Sequence, residues 1–113
     1  MDWIELNNID QLEEISEKSM SHPVLIYKHS TRCSISTVVK NRLESGKLPE
    51  SFDYYFLDLI KYRNISNEIS DRFGVEHESP QVIIIKNGNA DYHSSHFGIS
   101  SKSIIQNLNQ SNI

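Results

Sequence analysis

The segment Val24–Leu43, VLIYKHSTRCSISTVVKNRL, decides the fold and contains the chain's only cysteine, Cys33. Val24, Leu25, Ile26 and Tyr27 form an apolar run between Pro23 and Lys28, the pattern of a strand buried on both faces. A short polar turn follows, in which Ser30 or Thr31 is suited to cap a helix opening at or just before Cys33. Ile35, Val38, Val39 and Leu43 recur at helical spacing and predict one apolar face. Ser45, Gly46 and Pro49 mark the helix end. A thiol at such a helix start lies among unpaired backbone N–H groups at the positive end of the dipole, which favours the nucleophilic thiolate.

Working outward, Ile4–Leu6 reads as a short edge strand. Asn8 and Gln11 resemble a capping box for a helix with Ile9, Leu12 and Ile15 on its inner face, ending near Ser21–Pro23. After a connector at Lys47–Ser51, Phe52–Leu59 reads as a strand with Phe56 and Leu57 at its centre. Asn64 is suited to cap a helix carrying Ile65, Ile69 and Phe73 inward, and Gly74-Val75 is its expected stop. Val82–Ile85 is β-branched throughout, a strong strand signal. Asn87-Gly88 predicts a tight hairpin, so Ala90–His93 returns antiparallel. A last helix begins near Ser101, with Ile104, Ile105 and Leu108 inward. The order β-α-β-α-β-α-β-β-α, parallel through the early crossovers and antiparallel at the hairpin, predicts a thioredoxin-like, three-layer α/β/α sandwich.

The chain has 113 residues, 37% of them hydrophobic, which is enough for one core, and residues 1–113 are expected to form a single thioredoxin-like domain. A formal net charge of −4 argues against a general nucleic-acid binder. The acidic start MDWIEL lacks the positive charge of a signal peptide, and no apolar run reaches membrane-spanning length. One cysteine cannot close an internal disulfide, so a cytoplasmic, reducing location without membrane or nucleic-acid partners is the expectation.

Three local signals resemble the thioredoxin superfamily. They are Pro23-Val24-Leu25-Ile26 leading to Cys33, Arg72-Phe73-Gly74-Val75 followed by Ser79-Pro80-Gln81, and Lys86-Asn87-Gly88 with Gly98 before the final helix. Within it, the chain resembles the monothiol bacilliredoxins of the bacillithiol system, whose active site reads Thr-Cys-Pro-Ile-Ser. Arg32-Cys33-Ser34-Ile35-Ser36 matches at Cys33, Ile35 and Ser36 and departs at Arg32 and Ser34. The resemblance implies Cys33 as nucleophile and Pro80 as the superfamily's cis proline beside it, with the backbone of Ser79 facing the sulfur. Where thioredoxin has its resolving cysteine this chain has Ser36, and where thioredoxin has a buried aspartate it has Tyr27. Both departures point to one-thiol chemistry.

The expected site is therefore Cys33 and Ser36 as catalytic residues, with Arg32, Ser34, Ser79 and Pro80 binding substrate. Ser36, three residues after Cys33, falls on the same helix side and is placed to donate to the thiolate. Lys28, His29 and Arg32 lie within five residues of Cys33 and are candidate cations, or simply a solvated face and a turn histidine. His93 and His96 point to opposite faces of a strand with no third ligand, so no metal is expected.

The implied activity removes a low-molecular-weight thiol from S-thiolated proteins. Bacillithiol is the co-substrate the resemblance suggests, glutathione gives the same logic, and no tightly bound cofactor is required. Another redoxin or reductase is a candidate partner for regeneration. The alternative is a non-catalytic redox sensor or binding module, capped at Cys33.

Overall fold

The structure is a computed structural model that describes residues 1–111, with side chains as far as Asn107. Its elements run β1 (Ile4–Glu5), α1 (Gln11–Lys18), β2 (Val24–His29), α2 (Ser34–Ser45), β3 (Asp53–Asp58), α3 (Arg63–Phe73), β4 (Gln81–Lys86), β5 (Asn89–Ser95) and α4 (Ser101–Ser111). A 3-10 turn at His96–Gly98 lies between β5 and α4. The strands form one sheet in the order β1-β3-β2-β4-β5. The pairs β1–β3 and β2–β3 are parallel, whereas β2–β4 and β4–β5 are antiparallel. This is the predicted α/β sandwich, in the predicted element order.

Strand alternation divides the core into two halves. Val24, Ile26, Tyr55, Leu57, Ile83 and Ile85 face α1 and α3, against Leu12, Ile15, Ile65 and Ile69. Leu25, Tyr27, Tyr54, Val82 and Ile84 face α2 and α4, against Val39, Leu43 and Ile104. β2 is central and every one of its residues is buried. Gly74 (φ 66°) ends α3 in the left-handed conformation, with Val75 buried behind it. Asn87 (φ 51°) and Gly88 (φ 77°) make the predicted tight turn.

Several local expectations are corrected. Lys28 does not bound β2 but lies fully buried inside it, and the strand continues to His29. In α2 the buried row is Ser36, Val39 and Leu43, while Val38 is 49% exposed. The helix is rotated because Ser36 hydrogen-bonds at its inner end, so the fit to the sheet overrides apolar spacing. Ile9 is 43% exposed because it belongs to the tight turn before α1. In that turn Gln11 Oε1 accepts the N–H groups of Asn7 and Asn8 at 2.8 and 2.9 Å, the back-reaching half of the predicted capping box. α3 opens at Arg63 after Tyr62, not behind an Asn64 cap. Leu108 lies outside the described side chains.

Two substitutions test the core assignment. Ile26→Ala empties a fully buried position of the central strand and should cost about 2–5 kcal/mol in denaturant unfolding. Ile9→Ala, on an exposed residue, should stay within about 0.5 kcal/mol of the parent. Equal losses at both positions would contradict the assignment.

Candidate active site

Cys33 stands at the junction of β2 and α2 as the N-cap of α2, partly exposed, with extended backbone (φ −120°, ψ 114°). The turn before it closes when the Cys33 N–H donates to the Ser30 carbonyl at 3.2 Å. Ser30 Oγ accepts the Arg32 N–H at 3.3 Å, so Ser30 caps this turn and Cys33 takes the helix cap. Ser36, fully buried, joins strand and helix. Its hydroxyl oxygen accepts the Ser30 N–H at 3.3 Å, and its carbonyl accepts the Tyr27 hydroxyl at 2.7 Å. These bonds tie the first turn of α2 to the end of β2.

The thiol makes no side-chain cap hydrogen bond. The thiolate has partners: the Ser36 N–H first, then the Ile35 N–H and the Ser36 hydroxyl hold its pKa below the ordinary thiol range. Desolvation, second in size only to the Ser36 N–H, opposes them. Because the Ser36 oxygen accepts from Ser30, its proton is free to point at the sulfur.

No cation contributes to this shift, which corrects the expectation drawn from neighbouring basic residues. Lys28 shares the sheet face of Ile26, opposite α2, and its ammonium donates to His77 Nδ1 at 2.6 Å. Burial lowers the His29 pKa, with Lys40 adding to the effect, so its imidazole is neutral at pH 7. His29 Nδ1 is buried without a hydrogen-bond partner among the described residues. Arg32 and Ser34 are exposed at the rim.

The Ser79–Pro80 bond is cis. Pro80 is buried, one residue beyond the last ladder pair Lys28↔Gln81, and alternation from Val82 puts it on the face covered by α2. Its carbonyl accepts the His96 N–H at 3.0 Å, linking it to the 3-10 turn that contacts α2. Ser79 Oγ is buried without a partner among the described residues. The fold thus puts Cys33, Ser36 and Pro80 on one side of the sheet and leaves Arg32 and Ser34 at its edge.

Sequence reasoning missed two features. Tyr27, read as part of the buried apolar run and as a lost aspartate, is fully buried as expected but also anchors Ser36 through its hydroxyl; burial first, then Cys33 and Glu44, suppresses its ionisation, so it remains a donor. An aromatic row of Trp3, Tyr27, Phe56 and His29 runs beside α2, with His29 and Phe56 centroids 5.1 Å apart and Trp3 and Tyr27 5.9 Å apart. Alternation in β2 and β3 puts Tyr27 and Phe56 on a shared face, but no spacing rule brings in Trp3.

A thiol on the N-cap residue of a helix, on the same side of this sheet as a cis proline, defines a thiol redox protein with a thioredoxin fold. The sequence matches the family described as monothiol bacilliredoxin BrxC over residues 4–104, and the chain belongs to that family. A solved chain described as a candidate oxidoreductase with a thioredoxin fold is 30% identical, with a TM-score of 0.81 over 93% of this chain and 92% of that one. The thioredoxin of Malassezia sympodialis is 16% identical with a TM-score of 0.74, covering 96% of this chain and 90% of that one. Fasciola hepatica thioredoxin is 12% identical, also at 0.74, covering 94% and 96%. The last two show the fold alone. No helix among the described residues is long and apolar enough to cross a membrane.

The pKa shift sets a direct test. Alkylation of Cys33 should already be fast at pH values where a free cysteine, titrating near about 8.5, is mostly protonated. Ser36→Ala should slow it at neutral pH by about 2- to 10-fold, the worth of one hydrogen bond. A pH–rate profile matching that of an unstructured cysteine peptide would rule out the helix-start effect.

Proposed function

We propose that this protein is a monothiol thiol-disulfide oxidoreductase that removes a low-molecular-weight thiol from protein mixed disulfides through Cys33. The observation that carries this reading is a lone thiol at a helix N-terminus whose anion is stabilised by backbone N–H groups, with a serine one helical turn further on. The Cys33 thiolate attacks the small-thiol sulfur; a new S–S bond forms, the protein–small-thiol bond breaks, and the protein thiolate leaves and takes a proton from solvent. A second small-thiol thiolate attacks the small-thiol sulfur of the adduct, giving the symmetrical small-thiol disulfide and free Cys33. Electrons balance without another cofactor.

Family membership favours bacillithiol as that thiol, and glutathione would follow the same steps. In this reading Ser36 stabilises the thiolate and the departing Cys33 sulfur. Ser79 and Pro80 offer backbone beside the sulfur, and exposed Arg32 and Ser34 contact the incoming mixed disulfide. S-thiolated proteins in a reducing, cytoplasmic setting are the substrates, and a redoxin or reductase restores the small-thiol pool. One observation favours a second reading, a sensor that is capped and then stops: no resolving thiol accompanies Cys33. A sensor takes up one thiol equivalent, whereas the oxidoreductase cycles when small thiol and its reductase are supplied.

Cys33→Ala should abolish removal of the small thiol from a mixed-disulfide substrate while preserving the circular-dichroism spectrum. Ser36→Cys should create a dithiol that expels its own adduct by closing an internal disulfide to Cys33, releasing small thiol without outside help. Turnover surviving in the Cys33→Ala protein would exclude the thiol mechanism.

A further inference from the structure

The buried ammonium of Lys28 has no role in the thiol chemistry, and it lies in the central strand with no carboxylate bound to it among the described residues. Its hydrogen-bond partner is His77, in the middle of the loop between α3 and β4 that leads to Ser79–Pro80. Lys28 and Gln81 are ladder partners across β2 and β4, so their side chains stand together on the face away from α2. Gln81, 1% exposed, holds the same loop, because its Nε2 donates to the Glu76 carbonyl at 3.0 Å and its Oε1 accepts the Glu78 N–H at 3.4 Å. His77 Nδ1 also receives the Ser66 hydroxyl from α3 at 3.4 Å. Two side chains from one ladder rung thus grip three consecutive loop residues just before the cis proline.

An ammonium can only donate, so His77 Nδ1 is the acceptor and the ring proton sits on Nε2. We propose that Lys28 and Gln81 form a two-point clamp that positions Ser79–Pro80 for disulfide substrates, and that proton uptake by His77 opens the Lys28 side of it. This inference rests on the thiol-exchange reading given above.

The charged groups around the contact agree on direction. Burial first, then Lys28 and Arg63, hold the His77 pKa below its ordinary value, and Glu78 alone opposes them. Burial, with Arg63 adding, brings Lys28 down to about 8. His77 therefore accepts at neutral pH. Below its depressed pKa a protonated Nδ1 faces the ammonium, and the contact is lost. Alkaline pH has no such effect, because a neutral amine still donates. The sign fits linkage: a base with a depressed folded-state pKa favours the closed arrangement at high pH and loses it as pH falls.

The test uses the full chain and Lys28→Met, Lys28→Arg, His77→Gln and the parent. The first readout, independent of activity, is amide hydrogen-exchange protection at His77, Glu78 and Ser79. The second is the rate of Cys33 with a glutathionylated protein divided by its rate with iodoacetamide, which needs no docking surface. Lys28→Met should lower loop protection and the rate ratio about tenfold, the effect of one hydrogen bond on a local opening. Its melting temperature should not fall, since an apolar isostere replaces a buried charge without a buried partner being orphaned. Lys28→Arg, which keeps a donor, should recover part of both readouts. Parent loop protection should fall from pH 7 to pH 5, whereas His77→Gln, which keeps an acceptor that does not titrate, should stay flat.

An unchanged loop and rate ratio in Lys28→Met, or the same acid response in His77→Gln as in the parent, overturns the clamp. If the parent reacts with iodoacetamide but never with the mixed disulfide, while protection still follows Lys28 and His77, the clamp's structural half stands and the thiol-exchange reading fails.

Discussion

Everything chemical in this molecule depends on how the first turn of α2 is fixed to the end of β2. Two hydrogen bonds do it, from the Tyr27 hydroxyl to the Ser36 carbonyl and from the Ser30 N–H to the Ser36 hydroxyl. With those in place, Cys33 takes the N-cap position, and its thiolate is stabilised by the Ile35 N–H and by the Ser36 N–H, which also donates to the Cys33 carbonyl at 3.1 Å. Backbone dipoles do what a neighbouring cation was expected to do. They need no deprotonation step of their own, and because they are fixed by the fold they respond little to pH near neutrality.

The two faces of the sheet divide the labour. The α2 face carries the thiol, the cis proline and the aromatic row of Trp3, Tyr27, Phe56 and His29. The α1–α3 face carries the larger apolar cluster and, at the same end of β2, the buried Lys28 with its histidine. A residue-by-residue alternation in one strand therefore puts Tyr27 and Lys28, adjacent in sequence, into different jobs. Tyr27 sets the geometry of the nucleophile, and Lys28 holds the loop that leads to the proline.

The architecture was legible because its signals are local and mutually consistent. Val82–Ile85 is a strand by composition, Asn87-Gly88 supplies the positive φ values of the hairpin, and Gly74-Val75 stops α3. Cys33 was legible from its place after an apolar run and before a helical period. Less was legible where tertiary contact overrides pattern. Val38 reads as core by spacing, yet Ser36 takes the inward position, where its hydroxyl oxygen accepts the Ser30 N–H and its carbonyl accepts the Tyr27 hydroxyl from β2. Lys28 reads as a strand boundary because lysine is normally exposed. Its burial depends on His77, 49 residues away, which no window along the chain can see. The same holds for Trp3, whose indole N–H reaches Glu44 at 2.7 Å.

The central claim is that a single thiolate at Cys33 accepts a small thiol directly from another protein's cysteine. Intact-mass spectrometry after mixing the reduced protein with a substrate protein carrying an isotopically labelled small thiol tests it most directly. The account predicts one labelled adduct per chain, mapped to Cys33, with an equal amount of free thiol appearing on the substrate. A substrate that keeps all its label, in a sample whose Cys33 is shown by alkylation to be reduced and accessible, would contradict it.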